Sequence, residues 1–245
     1  AVSSIKPSVL KKLFDEEVAE RNPRDNFFHC LVNAAHQFHI RKKNDDRYLL
    51  AGYPWFKCRA RDTFISLPGL TLSIEEQDYF ELVMKTAEKG LREFMAGKPL
   101  TVQIAEIEQP DVLLWAIWAI QQYAKEAGLE KCRDMYGQLV KDIVKFIESD
   151  KHNNLQLRDN GLLYSNGKDK AVTWMNSTAN GYPVVPRTGY IVEFNALWYN
   201  ALCFAQSIAE LDGDKALAEQ LNERAAVCQK SFVDTFLNEH GYLFD

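Results

Sequence analysis

Apolar residues return at steps of three and four along most of this chain, the spacing that lays one stripe along an α-helix. Phe27, Leu31, Ala34, Ala35 and Phe38 form such a stripe and predict a helix over about 24–40. Ser73-Ile-Glu-Glu76 reads as a capping box, in which the Ser73 and Glu76 side chains satisfy orphan backbone donors. It opens a helix carrying Phe80, Val83, Met84, Ala87, Leu91 and Phe94, which stops at Gly97 ahead of Pro99. Leu114, Trp118, Ile120 and Tyr123 mark a helix over 111–127, and Tyr136, Leu139, Ile143, Phe146 and Ile147 one over 130–149. Two more follow at about 193–211 and 214–236. With a first helix near 7–20 and a short one near 61–67, the pattern predicts about eight helices and no strand pairs. The helices come as successive hairpins without a fixed sequence period, which excludes the usual repeat solenoids. A toroid of paired helices fits, because each hairpin hides its stripe against the next.

The connections are unequal. Residues 48–60, 98–110 and above all 152–192 are long, and the last interleaves Asn, Asp, Gly and Pro with Tyr164, Trp174, Tyr182 and Tyr190. A compact domain rarely keeps a loop of that length without a use for it. Aromatics on a polar loop suit a sugar platform, where C–H faces stack on rings and hydroxyls meet carboxylates and amides. The same composition also suits a loop that packs its own rings as a plug.

Composition narrows the class. The hydrophobic fraction is 47%, with 14 Phe, 10 Tyr and 5 Trp, which suits one globular domain over 1–245 and excludes disorder. A formal charge of −5 argues against a nucleic-acid surface. No run of about 18 apolar residues occurs, so no membrane span is expected. Ala1-Val-Ser-Ser-Ile-Lys6 lacks a signal-peptide pattern, and a chain that starts without Met reads as a piece cut from a longer one. Cys30, Cys58, Cys132, Cys203 and Cys228 are scattered and odd in number, which suggests buried reduced thiols in a cytoplasmic protein.

Candidate chemistry sits at helix starts and in the long loop. Arg61-Asp62 follows Ala51-Gly-Tyr-Pro-Trp-Phe56 and opens a helix. Asp62 there is an N-cap, or a carboxylate that fixes vicinal sugar hydroxyls beside a guanidinium. Asp111 stands at a helix start, where it complements the positive dipole end. Trp115 and Trp118, about one turn apart, make a face that is core or cleft wall, with Trp118 the more core-like. Trp174-Met-Asn176 and Pro186-Arg187-Thr-Gly189 lie in the long loop, and Glu193 enters an otherwise apolar helix. His36 and His39 are three apart, but no H-E-x-x-H pattern and no third ligand nearby in sequence supports a metal. No cofactor is expected either, since no P-loop, G-x-G-x-x-G or G-x-S-x-G occurs.

Ala51-Gly-Tyr-Pro-Trp-Phe56 with Arg61-Asp62-Thr-Phe-Ile-Ser-Leu-Pro-Gly69 resembles the A-G-Y-P-W-F…W-G-R-D-T-F-I-x-L-P-G signature of glycogen debranching enzyme glucosidase domains. Asp111-Val-Leu-Leu-Trp115 resembles their D-x-x-L-W, and Thr173-Trp-Met-Asn176 their T-W-M-D. Pro186-Arg187-Thr-Gly189 and Val192-Glu-Phe-Asn-Ala-Leu-Trp-Tyr-Asn200 resemble P-R-x-G…V-E-I-N-A-L-W-Y-N. The resemblance implies an all-α, (α/α)6 toroid in the cytoplasm that hydrolyses the α-1,6-linked glucose left at an α-glucan branch point. It implies inversion, with one carboxyl as general acid and another as base. By further similarity to glucoamylases, Arg61 and Asp62 would hold the hydroxyls of the non-reducing glucose. Asp111, Trp115, Trp174, Arg187 and Glu193 would line the pocket, on one face of the helical array.

The chain departs from that pattern. The family's apparent general acid, the Asp of T-W-M-D, is Asn176 here, and an amide cannot deliver the proton that the leaving oxygen needs. Trp-Gly before Arg-Asp becomes Arg59-Ala60, removing an aromatic wall and adding a Cβ. The family's base lies in the last helices of the toroid, so it is expected beyond residue 245, with the toroid incomplete at Phe244-Asp245. The expectations are therefore a debranching glucosidase, or a non-catalytic α-glucan-binding relative. A purely structural scaffold would not need Arg61, Asp62, Asp111 and Glu193 together.

Overall fold

Helix follows the apolar periodicity through most of the computed structural model, which describes residues 5–42 and 44–243. Ala1-Val-Ser-Ser4 and the closing Phe244-Asp245 lie outside those residues. Eight α-helices occur among the described residues: α1 (Pro7–Glu20), α2 (Phe27–His36), α3 (Ala60–Leu70), α4 (Gln77–Met95), α5 (Val112–Ala127), α6 (Leu129–Glu148), α7 (Val192–Leu211) and α8 (Lys215–Phe236). The chain is mostly helical, as its pattern predicts.

Helix α5 is at the centre because it is apolar on nearly every side. Val112, Leu113, Leu114, Ala116, Ile117, Ala119, Ile120 and Tyr123 are all buried, and α3, α6 and α7 pack around it. A helix apolar all round is stable only when enclosed. Helices α4 and α6 are amphipathic and bury one face each, α4 through Phe80, Val83, Met84, Ala87 and Leu91. Full burial of each of these side chains larger than Ala87 contributes about 1.5–3 kcal/mol. Helix α8 packs on α7. Helix α4 ends as expected, with Gly97 at φ 65° and its N–H bonded to the Phe94 carbonyl at 2.9 Å.

Three expectations are corrected. Strands are present, short and confined to the connections. β1 (His39–Arg41) pairs with β2 (Arg47–Leu49), and β3 (Leu155–Leu157), β4 (Leu163–Ser165) and β7 (Gly189–Tyr190) form an antiparallel sheet in that order. β5 (Thr178–Ala179) and β6 (Tyr182–Pro183) form a hairpin. Its tip is Asn180-Gly181, both at positive φ, the turn chemistry that matches strand twist. Second, Ser73 does not cap α4. Leu72–Ile74 form a 3-10 turn, Glu75 turns left-handed at φ 64°, and the helix starts at Gln77. The Glu76 carboxylate goes instead to His36. Third, the stripe on α2 is not a buried face: Phe27 and Leu31 are exposed while Val32, Asn33 and Ala35 are buried. Of the five free cysteines, Cys58, Cys132 and Cys228 are buried and Cys30 is exposed.

The long 152–192 connection is therefore half plug and half open surface. Tyr164 and Tyr190 pack edge to face at 5.7 Å on paired strands. The buried Asn195 amide of α7 binds both the N–H and the C=O of Leu163, tying the β-sheet to the helix. Trp174 and Tyr182 are exposed. Among the described residues no helix is long and apolar enough to cross a membrane.

Candidate functional site

Arg61 enters the first turn of α3 because its backbone is held from both sides. Ala60 N–H bonds to the Ala105 carbonyl at 2.9 Å, and Ala105 N–H bonds to the Cys58 carbonyl at 2.8 Å. The first turn thereby starts at a fixed place beside the 98–110 connection. Ala60 is fully buried and absent from the positive-φ positions, so its Cβ is accommodated in ordinary backbone.

The Arg61 guanidinium meets Asp111 in a fork, Nε to Oδ2 at 2.6 Å and Nη2 to Oδ1 at 2.9 Å. Their side chains are 8% and 2% exposed, so the charges neutralise one another in the interior. Trp115, one turn along α5, donates its Nε1–H to the same carboxylate at 3.2 Å. Asp111 does occupy the residue before α5, but its side chain makes no cap. Its oxygens are committed to Arg61 and Trp115. The geometry is that of a carboxylate orienting a guanidinium.

Asp62 is not an N-cap either. It lies in the first turn of α3, whose N-cap is Arg59, and its exposed side chain faces a cleft of about 450 Å³. The cleft is lined by Arg59, Arg61, Asp62 and Ser66, with Phe38 and Leu50 on the apolar side and Trp174 and Asn176 from the long loop. Trp174, 61% exposed, presents an open indole face. Its turn is set by the buried Thr173, whose hydroxyl accepts from Met175 N–H at 3.2 Å. Arg59 stands at the position where the signature that this segment resembles carries Trp. Its guanidinium lies 5.2 Å from the Phe56 ring centre and pairs with Glu106 at 3.4 Å, so a cation over a ring replaces part of an aromatic wall.

Of the expected residues, then, Arg61, Asp62, Trp174 and Asn176 share one cleft. Asp111 and Trp115 stand behind it, acting on it through Arg61. Arg187 and Glu193 pair with each other through two hydrogen bonds, one of them 2.9 Å, and neither lines the cleft. Trp115 and Trp118 meet edge to face at 5.4 Å, and both pack partly against the core. Ser66 and Phe38 were not picked out from the sequence. Ser66 was findable, since it follows Asp62 by four on α3 and so shares its face. Size does not single the cleft out, because one of about 420 Å³ lies between Glu148, Arg158 and Arg224. The residues do.

A family model described as amylo-alpha-1,6-glucosidase matches residues 33–245, which include every residue of the cleft. The chain belongs to the amylo-α-1,6-glucosidase family. Comparison with curated proteins found no match. Membership makes this a glycogen-debranching type of glycoside hydrolase family, with a glucan as the substrate class. In that family's terms the cleft combines one free-standing carboxylate, a buried guanidinium, an exposed indole and an amide. These are groups that hydrogen-bond hydroxyls and stack on a sugar face.

Proposed function

We propose that this cleft holds a terminal glucose residue of an α-glucan, the α-1,6-linked unit of a branch point, within an (α/α)6 toroid. The observation that carries the reading is that Asp62 and Asn176, more than a hundred residues apart in sequence, line one cleft with Trp174 between loop and helix. Asp62 accepts from two hydroxyls, Arg61 donates from the nitrogen sites that Asp111 leaves open, and Trp174 covers one face of the ring. The hairpin packing of α5 on α6 and of α7 on α8 supports the toroid.

The family reaction is hydrolysis with inversion, and it needs a protonated carboxyl at the leaving oxygen. Asn176 stands at that position in the T-W-M-D block and donates only a weakly acidic amide N–H. The reading for this chain is therefore binding without useful turnover. Loss of a general acid slows such a step by about 10²–10⁴-fold. Isomaltose titration by calorimetry tests the binding, with Asp62→Ala and Trp174→Ala expected to abolish most of the heat. Equal heats from all three proteins place the sugar elsewhere. Glucose release from a limit dextrin tests the chemistry, and robust release by the unaltered chain removes Asn176 from the acid position.

A further inference from the structure

Glu76, displaced from its expected capping role, sits between two imidazoles. It stands just before α4, His36 closes α2 and His39 opens β1. One ligand atom from each of the three lies within 4.8 Å of the others. The third group that neighbouring sequence lacks thus comes from 40 residues beyond His36.

The protons around His39 are constrained by geometry. Its Nε2 is 2.9 Å from the Leu70 carbonyl, and a carbonyl only accepts, so Nε2 carries the hydrogen. In the neutral ring Nδ1 is then a bare lone pair. It faces Glu76 Oε2 at 3.7 Å, too long for a hydrogen bond. Two acceptors confront each other with no donor between them. The ring cannot easily turn away, because it stacks on Tyr79 at 3.9 Å and 11°. Glu76 Oε1 is bonded to His36 Nε2 on the other side.

We propose that His36 Nε2, His39 Nδ1 and the Glu76 carboxylate bind a divalent ion of the zinc type, with water as a fourth ligand. Two imidazoles and a carboxylate suit zinc chemistry, and a carbonyl on the far nitrogen of a ligating imidazole is the usual orienting contact. Donors around a tetrahedral ion with bonds of about 2.0–2.1 Å lie roughly 3.3 Å apart. The 4.8 Å spread must close by about that difference, and His36 and Glu76, each about one-third exposed, have room to do it. The ion would clip α2 and β1 to the start of α4. Helix α2 otherwise buries Val32, Asn33 and Ala35 and nothing larger. His39 adjoins Phe38 and bonds Leu70, and both of those line the cleft. The site holds the end of that cleft without reaching the sugar, so it stands or falls independently of the glucan reading.

The test uses the full chain, stripped with a chelator and titrated with Zn²⁺ by calorimetry, then with Co²⁺ by visible absorption. One equivalent of zinc, a raised Tm and the intense absorption of four-coordinate cobalt are expected. Glu76→Gln and His39→Ala should each weaken zinc at least about tenfold, the loss that even an outer partner's removal brings. His29→Ala, which removes an imidazole that contacts Asp25, Asn26 and Phe28 and none of the three proposed ligands, should bind zinc as the parent does. Far-UV circular dichroism of the stripped variants checks folding. Should His39→Ala fail to fold, the isosteric Glu76→Gln carries the test. No uptake by the parent, undiminished uptake by a folded Glu76→Gln, or uptake lost with His29→Ala overturns the proposal and leaves His36–Glu76 a plain hydrogen-bonded pair.

Discussion

Asp111→Ala isolates the interaction on which the inner wall of the cleft rests. The substitution takes from Arg61 both arms of its fork, at 2.6 and 2.9 Å, and from Trp115 its acceptor at 3.2 Å. Arg61 is 6% exposed, so its charge has little water to turn to. Breaking a buried pair from one side costs about 3–5 kcal/mol, because the remaining charge is left uncompensated. A value of roughly 4 kcal/mol is a large part of the ~5–15 kcal/mol by which a domain is stable. With a urea dependence near 3 kcal/mol/M, the unfolding midpoint falls by about 1.3 M. Arg61→Ala, which leaves Asp111 with only Trp115, should lose a similar amount. The double variant Arg61→Met/Asp111→Leu buries no charge and should lose about 1 kcal/mol or less. The assay is urea unfolding followed in the far and near ultraviolet, with coincident transitions as the two-state check. Asp111→Ala losing under about 1 kcal/mol, or the double variant losing the sum of the singles, refutes the argument.

Three further outcomes follow from buried groups. Burial pushes His152 down to about 4; an unfolded histidine titrates near 6.5, so between those values the unfolded chain binds a proton that the native chain does not. Stability therefore rises with pH across that window and is flat above it, by roughly 3 kcal/mol in all; urea midpoints against pH should lose that slope in His152→Phe, and an unchanged slope counts against it. Asn195→Asp sets a carboxylate against the Leu163 and Ile191 carbonyls that its amide now serves at 3.1 and 3.0 Å, which should cost about 2–4 kcal/mol; a Tm within a degree of the parent would be the contrary result. A Cβ at Gly167 would lie 2.2 Å from the Arg187 carbonyl oxygen and 2.4 Å from Val172 Cγ2, so Gly167→Ala should cost about 1–3 kcal/mol and speed amide exchange over 166–187; unchanged exchange there refutes it.

The helices were legible from the sequence because helix formation is mostly a local matter. A repeat of 3.6 residues, a glycine able to take positive φ at Gly97, and an apolar run such as 112–120 each act within a few residues. The short strands were not read from the sequence: strands of two or three residues carry too little alternation to stand out from a loop, and only turn residues such as Asn160-Gly161 and Asn180-Gly181 sit between them. The four blocks of resemblance rest on residue identity alone, and the family match over 33–245 agrees with them.

Partner choice was decided by the tertiary structure. Asp62 reads as a helix cap or a sugar-binding carboxylate and Asp111 as a charge at a helix start, and neither side chain caps its helix; one faces the cleft and the other is spent on a guanidinium 50 residues away. Glu76 had a local partner in Ser73 and took His36 instead. A short-range hydrogen bond at a helix end competes with water and is worth about 1 kcal/mol. A buried or half-buried charge has no such alternative, so it must find its counter-charge wherever the packing of α3 on α5, or of α2 beside α4, brings one within reach.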